Sequence, residues 1–190
     1  KKPLDRYENF ERMKQELVIA SKELTGHDYV EHEHLSTDFL QAEMDVVRSY
    51  LAIEDYKNAL NLVDKILQND SANVNALINK GAILSILGND KGALESLTLA
   101  KTLDPNSIKA LINIGIIKMK SGEIDEALEC FTNAVETDPS SWEAWINLGS
   151  AYLSQENVEK ALECCDISIK ITPLQSGACI QKAKVLQRMG

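Results

Sequence analysis

Aromatic side chains and clusters of positive charge are scarce in this sequence. Phe, Trp and Tyr make up 5% of its 190 residues, too few for a β-sandwich, whose strands are rich in aromatic and β-branched side chains. The net charge is −9 at pH 7. An acidic chain without a basic cluster repels the phosphates of nucleic acids and the anionic lipids of membrane surfaces. We therefore expect a helical protein that binds no nucleic acid.

Long apolar runs and targeting signals are lacking as well. The apolar runs fall far short of the roughly 20 residues that span a bilayer. The first residues do not follow the charged and then apolar pattern of a signal peptide. We therefore expect no membrane insertion. The cytoplasmic location that we also expect rests on the cysteines, which suit a reducing compartment.

Motifs that carry catalytic chemistry are also missing. The sequence contains no Gly-rich phosphate loop, no Gly-x-Ser-x-Gly turn and no His-Glu-x-x-His pair. Its many carboxylates follow the spacing of a solvated helix surface. We expect a protein that is not an enzyme and that needs no cofactor.

Cysteine is infrequent, and its spacing does not suit a zinc finger. Cys164 and Cys165 are adjacent, and no histidine lies near any cysteine in the sequence. We expect the cysteines to be small buried apolar residues in a reducing compartment. A disulfide framework or a zinc site is the alternative. The other two cysteines are Cys130 and Cys179.

The three histidines fall in one polar segment, residues 26–37, which we interpret as a loop. Together with neighbouring glutamates they could hold a metal ion. A flexible loop is a poor scaffold for such a site, so we favour a solvated loop and expect no metal. The histidines are His27, His32 and His34.

A repeat of 34 residues dominates the rest of the chain. Residues 74–107, 108–141 and 142–175 align without a gap, a terminal half-repeat helix covers 176–190, and a degenerate copy covers 40–73. In each copy, apolar residues recur at i, i+3, i+4 and i+7, which predicts two amphipathic helices. Because one pair cannot bury its apolar faces alone, the pairs should stack. The sequence therefore predicts an all-α fold, an α-solenoid of antiparallel helix pairs.

Small and helix-breaking residues recur at fixed places in the repeat. Gly115 and Ala127 are small, which we attribute to a close approach of the two helices. Gly122 should end the first helix, where a left-handed backbone is easiest for glycine. Pro139 should close the second helix, because proline cannot continue its hydrogen bonds, and Asp138 before it fits a turn.

These residues resemble the tetratricopeptide repeat family over about residues 40–190. The resemblance implies a right-handed superhelix in which the first helix of each pair lines a concave groove. Departures such as Lys118 occur at a position that the family fixes only partly. The best copy has Trp145, Leu148, Gly149, Tyr152, Ala161, Cys165, Ser168 and Pro173 at the signature positions; the next has Leu111, Ile114, Gly115, Lys118, Ala127, Phe131, Ala134 and Pro139.

Residues 1–38 fall outside the repeat. We interpret residues 3–24 as one long helix, with Pro3 at its start and Gly26 just past its end. This helix should cap the degenerate repeat, followed by the polar loop. Folding into the groove or docking a second chain is the alternative. The repeat array then occupies residues 39–190.

Two rows of side chains should follow the groove, one apolar and one of amides. Amides offer a donor and an acceptor together, so a row of them can pair with the backbone of an extended peptide. The alternative is that the amides are only common in the family. The candidate binding residues are Arg48, Ile78, Asn79, Lys109, Ile112, Asn113, Ile116, Lys120, Ile146, Asn147, Ile180, Gln181 and Lys184.

The groove positions also carry more cations than anions. Such a face on an acidic body should attract acidic segments or a C-terminal carboxylate. The family's dicarboxylate clamp is not expected, because only Asn79 and Lys109 match it. The cations are Arg48, Lys109, Lys120, Lys184 and Arg188, against the anions Asp45 and Glu143.

We therefore predict a protein–protein interaction scaffold that binds an extended, acidic peptide of unknown identity. One alternative is a structural unit that self-associates through its terminal helices, above all the C-terminal one, whose apolar side chains should be partly exposed. The other is the targeting arm of a longer enzyme or regulator.

Overall fold

Helices make up all the regular secondary structure that the computed structural model describes, which covers residues 12, 33–173 and 176–189. The chain divides into two compact units, Lys1–Ala76 and Leu77–Gly190. None of the helices in the described ranges is long and apolar enough to cross a membrane. The helices are α1 Glu33–Ala52, α2 Tyr56–Asn69, α3 Val74–Ile86, α4 Asp90–Leu103, α5 Ile108–Lys120, α6 Ile124–Thr137, α7 Trp142–Ser154, α8 Val158–Ile171 and α9 Ser176–Met189.

The first unit holds the helix pair α1 and α2, which pack on each other. Val47 and Tyr50 of α1 and Ala59 and Val63 of α2 are buried. The side chain of Asp55 accepts the backbone N–H of Asn58 and so caps the start of α2. The degenerate copy of the repeat is thus a helix pair like the others.

The start of α1 corrects the sequence-based boundary. We expected a loop up to residue 37, but α1 is one helix from Glu33 to Ala52. Neither Gly nor Pro occurs between these residues, so nothing in the backbone stops the helix from beginning early. The predicted capping helix, residues 3–24, and the loop residues His27 and His32 lie outside the described residues, apart from Arg12, which is helical.

The second unit contains the remaining pairs, each within one copy of the repeat. Helix α5 packs on α6, α7 packs on α8, and α9 packs on both α7 and α8. Neighbouring first helices also touch, α5 with α7 and α7 with α9. The first helices therefore form one layer, and the predicted all-α solenoid of helix pairs is confirmed.

The helices of a pair approach most closely at a glycine of the first helix. A Cβ atom added at Gly115 would lie 2.5 Å from Cε1 of Phe131, and one at Gly81 would lie 2.4 Å from Cγ of Leu97. The third pair is looser, since a Cβ at Gly149 would lie 3.1 Å from Cβ of Cys164. The close approach inferred for Gly115 is confirmed.

A left-handed residue ends each first helix at the same repeat position. Its φ is 83° at Gly88, 82° at Gly122, 58° at Glu54 and 61° at Glu156. The next residue in each copy donates its N–H to a carbonyl five residues earlier, as Glu123 does to Lys118 at 2.9 Å. The role predicted for Gly122 is confirmed, and the two glutamates adopt the same conformation at a cost of roughly 1–2 kcal/mol each.

Replacing Gly115 with Ala should lower the free energy of unfolding by about 1–2 kcal/mol. The overpacking cost of roughly 1–3 kcal/mol exceeds the helix-propensity gain of about 1 kcal/mol, because Phe131 is fully buried and has nowhere to move. Urea unfolding monitored by circular dichroism measures the change. In a Phe131→Cys background, which copies the Cys165 of the third pair, Gly115→Ala should cost little. An equal cost in both backgrounds would show that the Phe131 ring is not the cause.

Replacing Glu156 with Gly should raise the free energy of unfolding by about 0.5–1 kcal/mol. Glycine removes the left-handed strain, and its more flexible unfolded state offsets part of that gain. Glu163→Gly is the matched control, because Glu163 is exposed on the surface of α8. This variant should lower the free energy of unfolding by about 1 kcal/mol, since glycine is a poor helix former. A loss in both variants would contradict the assignment of strain to Glu156.

Candidate functional site

An open concavity of about 440 Å³ lies on the layer of first helices in the second unit. Its size falls within the roughly 300–1,000 Å³ that is usual for ligand sites. Helices α3, α5 and α7 all contribute. The predicted site residues that line it are Ile78, Asn79, Lys109, Ile112, Asn113, Ile116, Ile146 and Asn147.

The apolar row forms mainly the floor of the concavity. Ile78 and Ile112 are only 6% and 8% exposed, so they pack largely between neighbouring helices. Ile146 is half-buried, and Ile116 is 37% exposed. A ligand would therefore meet Ile116 and Ile146 more than the deeper isoleucines.

The amide row is partly committed to its own helices. Nδ2 of Asn113 donates to the carbonyl oxygen of Lys109 at 2.9 Å, and Nδ2 of Asn147 donates to that of Glu143 at 2.8 Å. Since an amide has two N–H groups and an acceptor oxygen, each asparagine keeps one N–H and its oxygen for another partner. These internal bonds also fix the orientation of the side chains.

The concavity includes only some of the groove positions at which cations outnumber anions in the sequence. Its charged residues, within the described part of the chain, are Lys109 and Glu143, one of each sign. Lys120 is not among the lining residues, and its Nζ contacts Oδ1 of Asp90 at 2.9 Å. The hydrogen bond from Lys120, followed by that from Ser85, lowers the pKa of Asp90. Lys120 therefore joins one helix pair to the next.

The other predicted site residues lie elsewhere in the fold. Arg48 belongs to the first unit, where it forms an ion pair with Asp45. Ile180, Gln181 and Lys184 lie on α9, beyond the concavity. Ile180 is 56% exposed.

Two lining residues were missed, namely Ala82 and Trp142, whereas Glu143 was placed at the groove as an anion but not among the candidate binding residues. Trp142 is half-buried and begins α7, so it precedes the helix positions from which we took the candidates. Its carbonyl accepts the hydroxyl of Ser168 at 3.1 Å. The sequence offered one signal for Trp142. It is an aromatic residue at a helix start, where two other copies have Val74 and Ile108.

The cysteines offer little nucleophilic chemistry. All four are free, and Cys130, Cys164 and Cys165 are buried, as expected. Burial, and then the neighbouring Cys165, raises the pKa of Cys164 to about 12, and burial also raises the pKa of Cys130. Cys179 differs, because it is exposed on α9.

No group of three or more His, Cys, Asp or Glu side chains converges within the described ranges. Of the histidines, only the backbone of His34, in α1, falls inside these ranges. The predicted absence of a metal site stays a prediction.

Comparison with known proteins identifies the family. A family model described as the tetratricopeptide repeat matches residues 112–176. The structure of YrrB, described as a tetratricopeptide repeat protein with an unusual peptide-binding site, shares 32% sequence identity with a TM-score of 0.61, over 79% of this chain and 77% of that one. The chain belongs to the tetratricopeptide repeat family.

Other tetratricopeptide repeat structures share the fold at lower identity. Pseudomonas aeruginosa pilF aligns with a TM-score of 0.71 and 20% identity, over 78% of this chain and 68% of that one. The first such domain of Spaghetti (RPAP3), bound to the HSP90 peptide SRMEEVD, aligns with a TM-score of 0.59 and 20% identity, over 63% of this chain and 95% of that one. A search of curated proteins gives no match. Repeats of this family generally serve as interaction scaffolds rather than as catalysts.

Proposed function

We propose that this chain is an interaction scaffold that holds an extended segment of a partner protein in the concavity. The observation that carries the proposal is the row of asparagines at equal positions of neighbouring helices. Asn79, Asn113 and Asn147 all line the concavity. A row of amides along one surface can pair with the backbone amides of an extended peptide.

The physical chemistry of the concavity favours a peptide over a small polar ligand. An extended backbone presents donors and acceptors in turn, and each asparagine has both. The isoleucine floor gives an apolar surface for side chains of the ligand. Because rigid helices carry both rows, a ligand need not order the site before it binds.

Two relatives support a peptide ligand. YrrB is described as having an unusual peptide-binding site, and the RPAP3 domain was captured with an HSP90 peptide. The ligand of this chain should differ from that peptide, because Asn79 and Lys109 alone match the dicarboxylate clamp. A cytoplasmic location is part of the proposal, since free buried thiols suit a reducing compartment.

Self-association through α9 is the second candidate function. Ala183 of α9 occupies the repeat position of Gly115, which in α5 faces Phe131. In α9 this residue is exposed, and Ile180 and Leu186 are 56% and 48% exposed. An apolar helix face of this kind suits contact with a second copy of the chain.

Removing the amides should weaken peptide binding without unfolding the protein. We expect Asn113→Ala with Asn147→Ala to cost about 1–3 kcal/mol of binding free energy, because backbone groups of the ligand lose their partners. The probes are peptides selected by the unaltered protein from a random display library and then synthesised with a fluorophore. Fluorescence anisotropy gives Kd, and thermal melts confirm folding.

The matched control for the amide variant is Asn106→Ala with Asn133→Ala, which lie outside the lining of the concavity. The control should leave Kd unchanged. Equal affinity of the amide variant and the unaltered protein would reject the asparagine row as the binding site. A loss only in the control would move the site to the surface around Asn133.

Cys179 should react with a maleimide in the native protein, whereas the three buried cysteines should react only after denaturation. Burial keeps them from the reagent, and their raised pKa keeps them as thiols. Intact-mass spectrometry counts the labels.

If copies pair through α9, labelling of Cys179 should slow as protein concentration rises, and Leu186→Lys should abolish that dependence. A rate independent of concentration would reject the pairing.

A further inference from the structure

We infer that the concavity selects a peptide by one large apolar side chain flanked by an acidic residue on the Lys109 side and a basic residue on the Glu143 side. The inference rests on the proposed function and names the class of its ligand. It differs from the acidic peptide expected from the sequence, because it combines an acidic residue with a basic one.

The apolar part of the concavity, here called the pit, is lined by isoleucines and one tryptophan. The side chains of Ile78 and Ile112 are almost fully buried and form its base. Ile116, Ile146 and Trp142 line it and keep partly accessible surfaces. Side chains of this kind give up water readily when an apolar group covers them. One large apolar residue of the peptide is therefore the natural anchor.

The charges beside the pit are opposite in sign and equal in register. Lys109 is the second residue of α5, Glu143 is the second residue of α7, and these two helices contact each other. Both side chains are exposed and line the concavity. A peptide that crosses the two helices meets a positive group and then a negative one. A uniformly acidic peptide would be repelled at Glu143.

The position of Lys109 is unfavourable for a cation. It lies in the first turn of α5, where the helix dipole disfavours positive charge. No carboxylate of the described chain lies within ion-pair distance of it, whereas Lys118 and Lys120 each contact carboxylates. Glu143 stabilises the start of α7 through the same dipole. The cation is therefore the more telling of the two charges.

Charge exchange tests the inference on folded protein. The variants are Lys109→Glu, Glu143→Lys and the two together. The control combines Lys91→Glu with Glu136→Lys, two exposed residues outside the lining of the concavity. The probes are a library-selected peptide, its copy with acidic and basic residues exchanged, and its copy with the apolar anchor replaced by Ala. Anisotropy in low salt and in high salt gives Kd for each combination.

We expect each single reversal to weaken the selected peptide about 1.5- to five-fold, the range for exposed charge pairs. The double reversal should prefer the exchanged peptide, and high salt should reduce these differences. The Ala copy should bind about ten-fold or more weakly to every variant, because burial of its anchor is lost. The control should behave as the unaltered protein does.

The two proposals fail in different ways. If the selected peptides bind, depend on Asn113 and Asn147, and yet ignore both charge reversals, the charge pattern is wrong and the scaffold function stands. If binding survives loss of the anchor, the apolar pit is wrong. If affinity depends on none of these residues, the concavity is not the site and both proposals fall.

Discussion

The close approach of the two helices at one glycine per pair is the constraint on which the rest of the second unit depends. At Gly115 a single added carbon would lie 2.5 Å from the ring of Phe131, so the paired backbones can pass at this distance only without a side chain. That contact fixes which side of α5 meets α6. Asn113, two residues before Gly115, is then turned away from α6 and toward the concavity that it lines. The same contact in each pair turns a repeated sequence into rows of equivalent side chains.

At other positions of the repeat the residue can vary, because the residue that contacts it changes as well. Nζ of Lys118 lies 2.7 Å from a carboxylate oxygen of Glu126, and one repeat later Tyr152 lies under Nζ of Lys160, 5.1 Å from the ring centroid. The partner thus changes together with the residue. Ser168 stands where the preceding copy has Ala134, and its hydroxyl donates to the carbonyl of Trp142. At Gly115 the exchange would have to be steric, since a side chain there needs a smaller partner than Phe131.

The repeat made most of the fold predictable, since helix ends follow local chemistry. The turn at Gly122 and the carboxylate of Asp138, which accepts the N–H of Ser140 at 2.9 Å, could be inferred from neighbouring residues. The charge balance of the concavity was not predicted from the sequence, because the partner of Lys120 is Asp90, thirty residues earlier in the preceding pair. Local patterns do not reveal such contacts. The early start of α1 at Glu33 was missed because polar residues suggested a loop where no helix-breaking residue occurs.

The internal bonds of Asn113 and Asn147 change what the amide row can contribute. Each bond uses one N–H on the helix's own carbonyl, which removes a donor from the ligand. The same bond holds the side chain in one rotamer, so less conformational entropy is lost when a ligand binds. Fixed amides also select peptides by geometry. A peptide backbone that is out of register would place a carbonyl oxygen against an amide oxygen, and two acceptors form no hydrogen bond. The row is therefore better suited to setting the path of a peptide than to supplying most of its affinity, which leaves selection to the apolar and charged side chains beside it.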